Sequence, residues 1–182
     1  MRSVFENLYD QYHHDVFRFL FYMVKNRETA EDLMQDVYVK VFQSQSHFEG
    51  KSSEKTWLFS IARNTAIDHF RKDKNWKKRI LENFDWAKET IKDDQPLPEE
   101  MALLNDEMQI VYRSLHSCTV DQRSVLVLRY IESLSIIETA EVLGWSVGKV
   151  KTTQHRALKV VRKFLEEQQR KGESNGEKKQ EK

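Results

Sequence analysis

Residues 135–163 read SIIETAEVLGWSVGKVKTTQHRALKVVRK, and their reading decides the fold. The spacing predicts two short helices joined by a tight turn, the second helix strongly basic. Ala140 is small enough to let the helices approach, Gly144 takes the left-handed turn, and the branched Val150 locks the second helix onto the first. Ser146 is a natural N-cap for that second helix. At about 100° per residue, Val150, Ala157 and Val161 share one side of it. Lys151, Thr152, His155, Arg156, Lys159, Arg162 and Lys163 gather on the opposite side. Between residues 147 and 163 there are six Lys or Arg, Lys149 among them, and no Asp or Glu. An uncompensated basic stripe is what phosphate neutralisation requires. A basic face alone fits a merely solvated surface equally well. Here the turn chemistry, the helix spacing and the absence of acids agree, and they point to DNA.

The rest of the composition bounds the architecture. In 182 residues there are 30 Lys or Arg and 29 Asp or Glu, so affinity for DNA must come from local stripes and not from net charge. Five Gly, two Pro and the lack of alternating apolar and polar runs predict an all-α protein. Cys118 stands alone, which excludes an intramolecular disulfide and fits a reducing cytoplasm. His116 and Cys118 are two residues apart, and two ligands without partners read as coincidence and not as a metal site. No apolar signal core opens the chain and no run of roughly 18 apolar residues occurs, so neither secretion nor a membrane span is expected.

Phe5, Leu8, Tyr12, Val16, Phe19, Leu20 and Met23 recur at helical spacing and predict an amphipathic helix with an aromatic core face. A second helix is expected from Thr29 as N-cap, with Leu33, Met34, Val37 and Val41 inward. Asp32, Gln35 and Asp36 share its outer face beside Val39, which makes that face a candidate protein contact. Residues 44–55 read as a loop. A third helix over about 56–72 turns Leu58, Ile61, Ala62 and Thr65 one way and Ser60, Arg63, Asn64, Ile67 and Arg71 another. The second side mixes donors with cations and could track a nucleic-acid backbone; Trp57, Phe59, His69 and Phe70 add rings that read first as core. Residues 84–100 carry both prolines and six acids and read as a linker. Helices are expected over 101–116 and 120–132, the latter just before the helix-turn-helix. Residues 167–182 are charged and lack aromatics, which predicts a disordered tail.

In this order and spacing, AEDLMQDVYVKVF (30–42), SEKTWLFSIARNTAIDHFRK (53–72), DQRSVLVLRYIESLSIIETAEVLG (121–144) and VGKVKTTQHRALK (147–159) resemble the extracytoplasmic-function (ECF) sigma factors. These are the small two-domain promoter-specificity subunits of bacterial RNA polymerase. The phrases SSEKTW, FDW and VKTTQHR look closest to the sigma-X type. The resemblance implies a region 2 domain over 1–75, a flexible acidic linker over 76–103 threading toward the polymerase active-site cleft, a region 4 helix-turn-helix domain over 104–166, and the tail. It implies that Asp32, Gln35, Asp36 and Val39 dock on the clamp helices of the polymerase largest subunit. The loop over 48–56 and the helix bearing Trp57, Arg63, Asn64, Asp68 and Arg71 would read the −10 element. There a non-template base is flipped into a pocket, with Asn64 as its hydrogen-bonding member; capturing an unstacked base also holds the bubble open without ATP. Lys149, Lys151, Thr152, His155, Arg156 and Lys159 would contact the −35 element in the major groove. Among them Arg156 is built for a bidentate guanine contact and the lysines for phosphate. The chain departs from the family where Thr119 replaces a common proline and Ser133 a common glycine.

The resemblance further implies a cytoplasmic protein that is not an enzyme. It would need no cofactor or small-molecule substrate. Its partners would be core polymerase, promoter DNA and a membrane-anchored anti-sigma factor, in a cell-envelope stress response. The competing reading is a stand-alone helix-turn-helix regulator, which needs a dimerisation surface for paired half-sites. A DNA-acting enzyme lacks support: no HExxH, CxxC, P-loop or carboxylate cluster is present. Asp121 and Glu138 read as helix-end and surface charges.

Overall fold

The computed structural model describes residues 4–44, 48, 50, 52–72 and 106–180, with the side chains of 4, 106–108 and 171–180 left aside. The described residues form an all-helical protein, as expected. The order is α1 (Val4–Val24), α2 (Arg27–Ser44), α3 (Glu54–Lys72), α4 (Asp106–His116), α5 (Val120–Leu126), a π-helical turn (Val127–Ile131), α6 (Ile136–Leu143) and α7 (Val147–Gln180). The acidic linker expected over 76–103 lies outside the described residues.

The first three helices pack pairwise into an amino-terminal unit. Leu8, Val16, Phe19, Leu20 and Met23 form the buried stripe of α1, and Phe19 meets Phe59 of α3 edge-on at 5.5 Å between ring centroids. Those aromatics are core, as their spacing suggested. Helix α2 buries Ala30, Leu33, Val37, Tyr38 and Val41. Its start differs from the sequence reading: α2 begins at Arg27, and Asn26 is the capping residue. Its Oδ1 accepts from the Thr29 amide at 2.8 Å. Asparagine caps at least as well as threonine, so the earlier residue wins.

In the carboxy-terminal unit α7 packs on α4, α5 and α6. Thr119 caps α5 by a reciprocal box with Gln122, and Ser135 caps α6 by the same device with Glu138. Each satisfies two otherwise orphaned backbone donors. Hydrogen bonding by Ser135, first through its backbone amide at 2.7 Å, pulls the Glu138 carboxyl below its usual range. The helix expected over 120–132 is not uniform. Its last turn widens at Val127–Ile131, and the Glu132 amide bonds back to the Val127 carbonyl at 2.9 Å. Ser133 then turns the chain at φ 58°, a left-handed conformation that glycine adopts without strain.

Helix α7 runs on through Gln180, so residues 167–180, expected as a disordered tail, are helical. The segment is rich in Glu, Gln, Lys and Arg, which lose little rotamer freedom in a helix. The Lys163 ammonium lies 4.0 Å from Glu167 one turn on.

The two units share one continuous core. Tyr112 of α4 sits between Phe21 and Tyr22 of α1, at 5.8 and 5.7 Å between centroids. Helix α6 lies against α3, and α5 and the π-helical turn touch α1.

Candidate nucleic-acid and polymerase interfaces

The helix-turn-helix has the geometry its sequence predicts. Gly144 ends α6 at φ 65°, ψ 36°, and Ser146 Oγ accepts from the Lys149 amide at 3.2 Å. Ala140, Val150 and Ala157 are buried where α6 meets α7. With that face sealed, Lys149, Lys151, Thr152, His155, Arg156 and Lys159 all emerge on the solvent side. Lys149 lies 3.8 Å above the ring of Trp145, so the half-buried Trp145 both packs and steadies a cation at the helix start. Behind the stripe, Arg129 Nε donates to Gln154 Oε1 at 3.1 Å, and Gln154 Nε2 donates to the Tyr130 hydroxyl at 3.1 Å. Arg129 Nη1 also donates to the Leu134 carbonyl. The two bonds through Gln154 tie α7 to the π-helical turn.

On α2, Asp32, Gln35, Asp36 and Val39 are all exposed on one face, with Val39 at 55 %. Phe42, one turn further, is 62 % exposed and touches Phe5 edge-on at 5.7 Å. The sequence reading missed Phe42. Its position three residues after Val39 was the available signal. The acidic face therefore ends in a small apolar patch, the pattern of a protein contact more than of a solvated helix.

On α3 the five candidates divide. Trp57, Asn64, Asp68 and Arg71 follow one another along one side at helical spacing. Trp57 is half-buried with Phe48 at 4.9 Å, while Asn64, Asp68 and Arg71 are exposed. Asp68 is shared between Lys40 at 3.9 Å and Arg71 at 3.8 Å. Arg63 lies off this row, and its Nη1 donates to Asn64 Oδ1 at 3.5 Å. Its side chain is only 16 % exposed and faces Asp121 of α5 at 3.7 Å. Burial lowers its pKa, and Asp121 works in the opposite direction. Ile67, placed beside Arg63 by the sequence reading, is buried. Sequence periodicity could not show that this flank of α3 meets a second unit.

That junction is held by charged groups whose roles the sequence did not disclose. Glu132, with its side chain fully buried, receives Arg18 Nε at 3.0 Å and Nη2 at 2.8 Å, and Lys55 donates to the Glu132 carbonyl at 2.8 Å. Burial raises the Glu132 carboxyl above its usual range despite the opposing pull of Arg18. Arg123, 1 % exposed, donates to the carbonyls of Met23 at 2.7 Å, Leu115 at 3.1 Å and Cys118 at 3.3 Å. His116 is buried against Tyr112, and its ring nitrogens have no hydrogen-bond partner. Burial drives its pKa far below the ordinary value, and Arg123 and Lys25 add to the shift. Among the described residues no three metal-ligating side chains cluster, and none of their helices is long and apolar enough to cross a membrane.

Comparison with known proteins agrees with this architecture. Residues 8–76 match the Sigma-70 region 2 model and residues 109–161 the Sigma-70, region 4 model. The chain belongs to the sigma-70 family of RNA polymerase sigma factors, within its ECF group. It is 52 % identical to the ECF RNA polymerase sigma factor SigX of Bacillus subtilis strain 168, over 91 % of this chain and 86 % of that protein. It is 35 % identical to the RNA polymerase sigma factor YlaC of the same strain, over 90 % and 93 %. Among solved structures it resembles the sigma factor RpoE in complex with the anti-sigma factor NepR from Bartonella quintana. There the TM-score is 0.69 and the identity 25 %, over 89 % of this chain and 96 % of that one. Membership in this family favours transcription initiation over a stand-alone regulator.

Proposed function

We propose that the chain is a dissociable initiation subunit that directs core RNA polymerase to a small promoter set, with its contacts divided among three faces. The exposed face of α2, Asp32, Gln35, Asp36 and Val39, extended by Phe42, docks on the polymerase clamp helices. The row on α3, Trp57, Asn64, Asp68 and Arg71, joined by Arg63 once its partner releases it, takes the non-template strand of the −10 element. Trp57 supplies a stacking surface and Asn64 a hydrogen bond to a flipped base. Helix α7 enters the major groove at the −35 element through Lys149, Lys151, Thr152, His155, Arg156 and Lys159.

The observation that carries this reading is the separation of the faces. The acidic-apolar patch and the acid-free basic stripe lie on different units, and each is exposed. The structural neighbour RpoE of Bartonella quintana, solved in complex with the anti-sigma factor NepR, also supports an inhibitor for this chain. We take that inhibitor to be membrane-anchored and the chain to act in the cytoplasm.

The test is a set of single variants assayed for core binding and for transcription. Asp36→Arg should abolish binding to core polymerase while leaving helicity intact. Arg156→Ala should spare core binding and lose −35 recognition, and Asn64→Ala should spare core binding and slow open-complex formation. Loss of core binding in all three would overturn the division of roles.

A further inference from the structure

Gln154 of α7 is held from both ends by the π-helical turn. Arg129 Nε donates to its Oε1, and its Nε2 donates to the Tyr130 hydroxyl, each at 3.1 Å. A guanidinium has donors and no acceptor, so the amide oxygen must face Arg129 and the amide NH2 must face Tyr130. Arg129 is anchored in turn, because its Nη1 donates to the Leu134 carbonyl. The Tyr130 oxygen is therefore an acceptor in this bond, and the hydroxyl keeps its own hydrogen for another partner. Tyr130 is 55 % exposed, so that hydrogen is offered outward. An amide–hydroxyl bond at an exposed position adds little to stability, and packing alone does not call for so ordered a relay.

The place of the relay gives the donor a use. At about 100° per residue, Gln154 stands about 40° from the buried Val150 and about 60° from Lys151 of the basic stripe. It marks the flank of α7, and the Tyr130 hydroxyl lies along that flank. An α-helix with its side chains is about 10–12 Å across, and the major groove of DNA is about 12 Å wide. A helix seated in the groove therefore fills it, and the helix flanks run against the phosphate rims. We propose that Tyr130 is a further DNA-binding residue, whose hydroxyl donates to a backbone phosphate at the rim of the −35 groove. Gln154 is the positioning residue that aims this donor, and Arg129 locks Gln154. An O–H donor on a phosphate oxygen makes a short, charge-assisted bond. Such a contact fixes the register of α7 on the duplex without reading sequence. The inference rests on the reading of α7 as the −35 helix.

The experiment uses the full chain and, as probe, a short mixed-sequence DNA duplex titrated across a salt series. Tyr130→Phe removes the hydroxyl and keeps the ring. It should lower affinity about fivefold, the effect of one lost hydrogen bond. Its slope of log affinity against log salt should match the parent, because a neutral donor neutralises no phosphate charge. Lys151→Ala, by contrast, should lower the slope by about one. Gln154→Glu supplies a carboxylate that accepts the Tyr130 hydrogen and turns the donor inward. The added charge weakens binding by itself, so the decisive reading is the further cost of Tyr130→Phe in that background, which should vanish. An undiminished cost there would overturn the aiming by Gln154. Should Gln154→Glu lose helicity, Gln154→Leu replaces it: the unaimed hydroxyl must then contribute less than its fivefold, and an undiminished contribution counts against the aiming. Unchanged affinity in Tyr130→Phe, with Lys151→Ala weakened, would overturn the phosphate contact and leave α7 as the DNA helix. A slope lowered by about one in Tyr130→Phe would also overturn it, because the hydroxyl would then act only through a neighbouring cation. No loss in either variant would overturn the reading of α7 itself.

Discussion

Replacing Arg123 by methionine keeps a buried side chain of similar length and removes only the guanidinium. The structure sets the cost. Three hydrogen bonds to the carbonyls of Met23, Leu115 and Cys118 disappear. Bonds from a charged donor contribute about 1.5–3 kcal/mol each, and three bonds from one group are not additive, so the loss should be about 3–5 kcal/mol. With a urea slope of about 2 kcal/mol/M, the unfolding midpoint should fall by about 2 M. Arg113→Met, at an exposed position in the same unit, should stay within about 0.5 kcal/mol of the parent. The assay is urea unfolding followed by circular dichroism, with hydrogen exchange over 17–24 as a second reading because Met23 lies in the other unit. A midpoint shift below about 0.5 M would mean that the three carbonyls find other donors and that Arg123 does not join the units.

Other consequences follow from single residues. Buried neutral His116 has a pKa below the 6.5 of an unfolded chain. The unfolded state therefore takes up a proton that the folded state refuses, and stability should fall by about 1.4 kcal/mol per pH unit below about 6.5. His116→Leu should flatten that arm in urea titrations at successive pH values, and parallel curves for the two proteins would refute the assignment. Ser133→Gly relieves a left-handed serine and should raise stability by about 0.5–1 kcal/mol, read as a higher Tm. Gly144→Ala meets no neighbouring atom within 4 Å, so its cost of about 1 kcal/mol is purely conformational. The same variant should keep its −35 specificity, because Gly144 ends α6 and carries no side chain toward DNA.

The features legible in the sequence were those set by neighbours along the chain. The Gly144 turn, the Ser146 cap, the buried Val150 and Ala157, and the inner face of α2 all follow from spacings of a few residues. What escaped was set by contacts across the chain. Arg18 and Glu132 are 114 residues apart, and Arg123 and Met23 are 100 apart. A charged residue inside the apolar run VLVLRYIE looks like a surface position until its partner is known. Arg63 was assigned to the DNA row because the periodicity of α3 was read against one packed face, whereas the helix has two. The widened turn after Leu126 had no local signal at all. The helical stretch over 167–180 was misread because charge and lack of aromatics describe a segment without a core, and a helix does not require one.

The central claim is that this chain gives core polymerase its promoter choice through paired elements read by α3 and α7. Purified chain and bacterial core RNA polymerase, mixed with a library of promoter fragments, test it by the mapping of transcript starts. The account predicts starts that appear only when the chain is added, preceded by two sequence elements at fixed spacing. Failure to stimulate transcription, together with specific duplex binding by the chain alone, would contradict it.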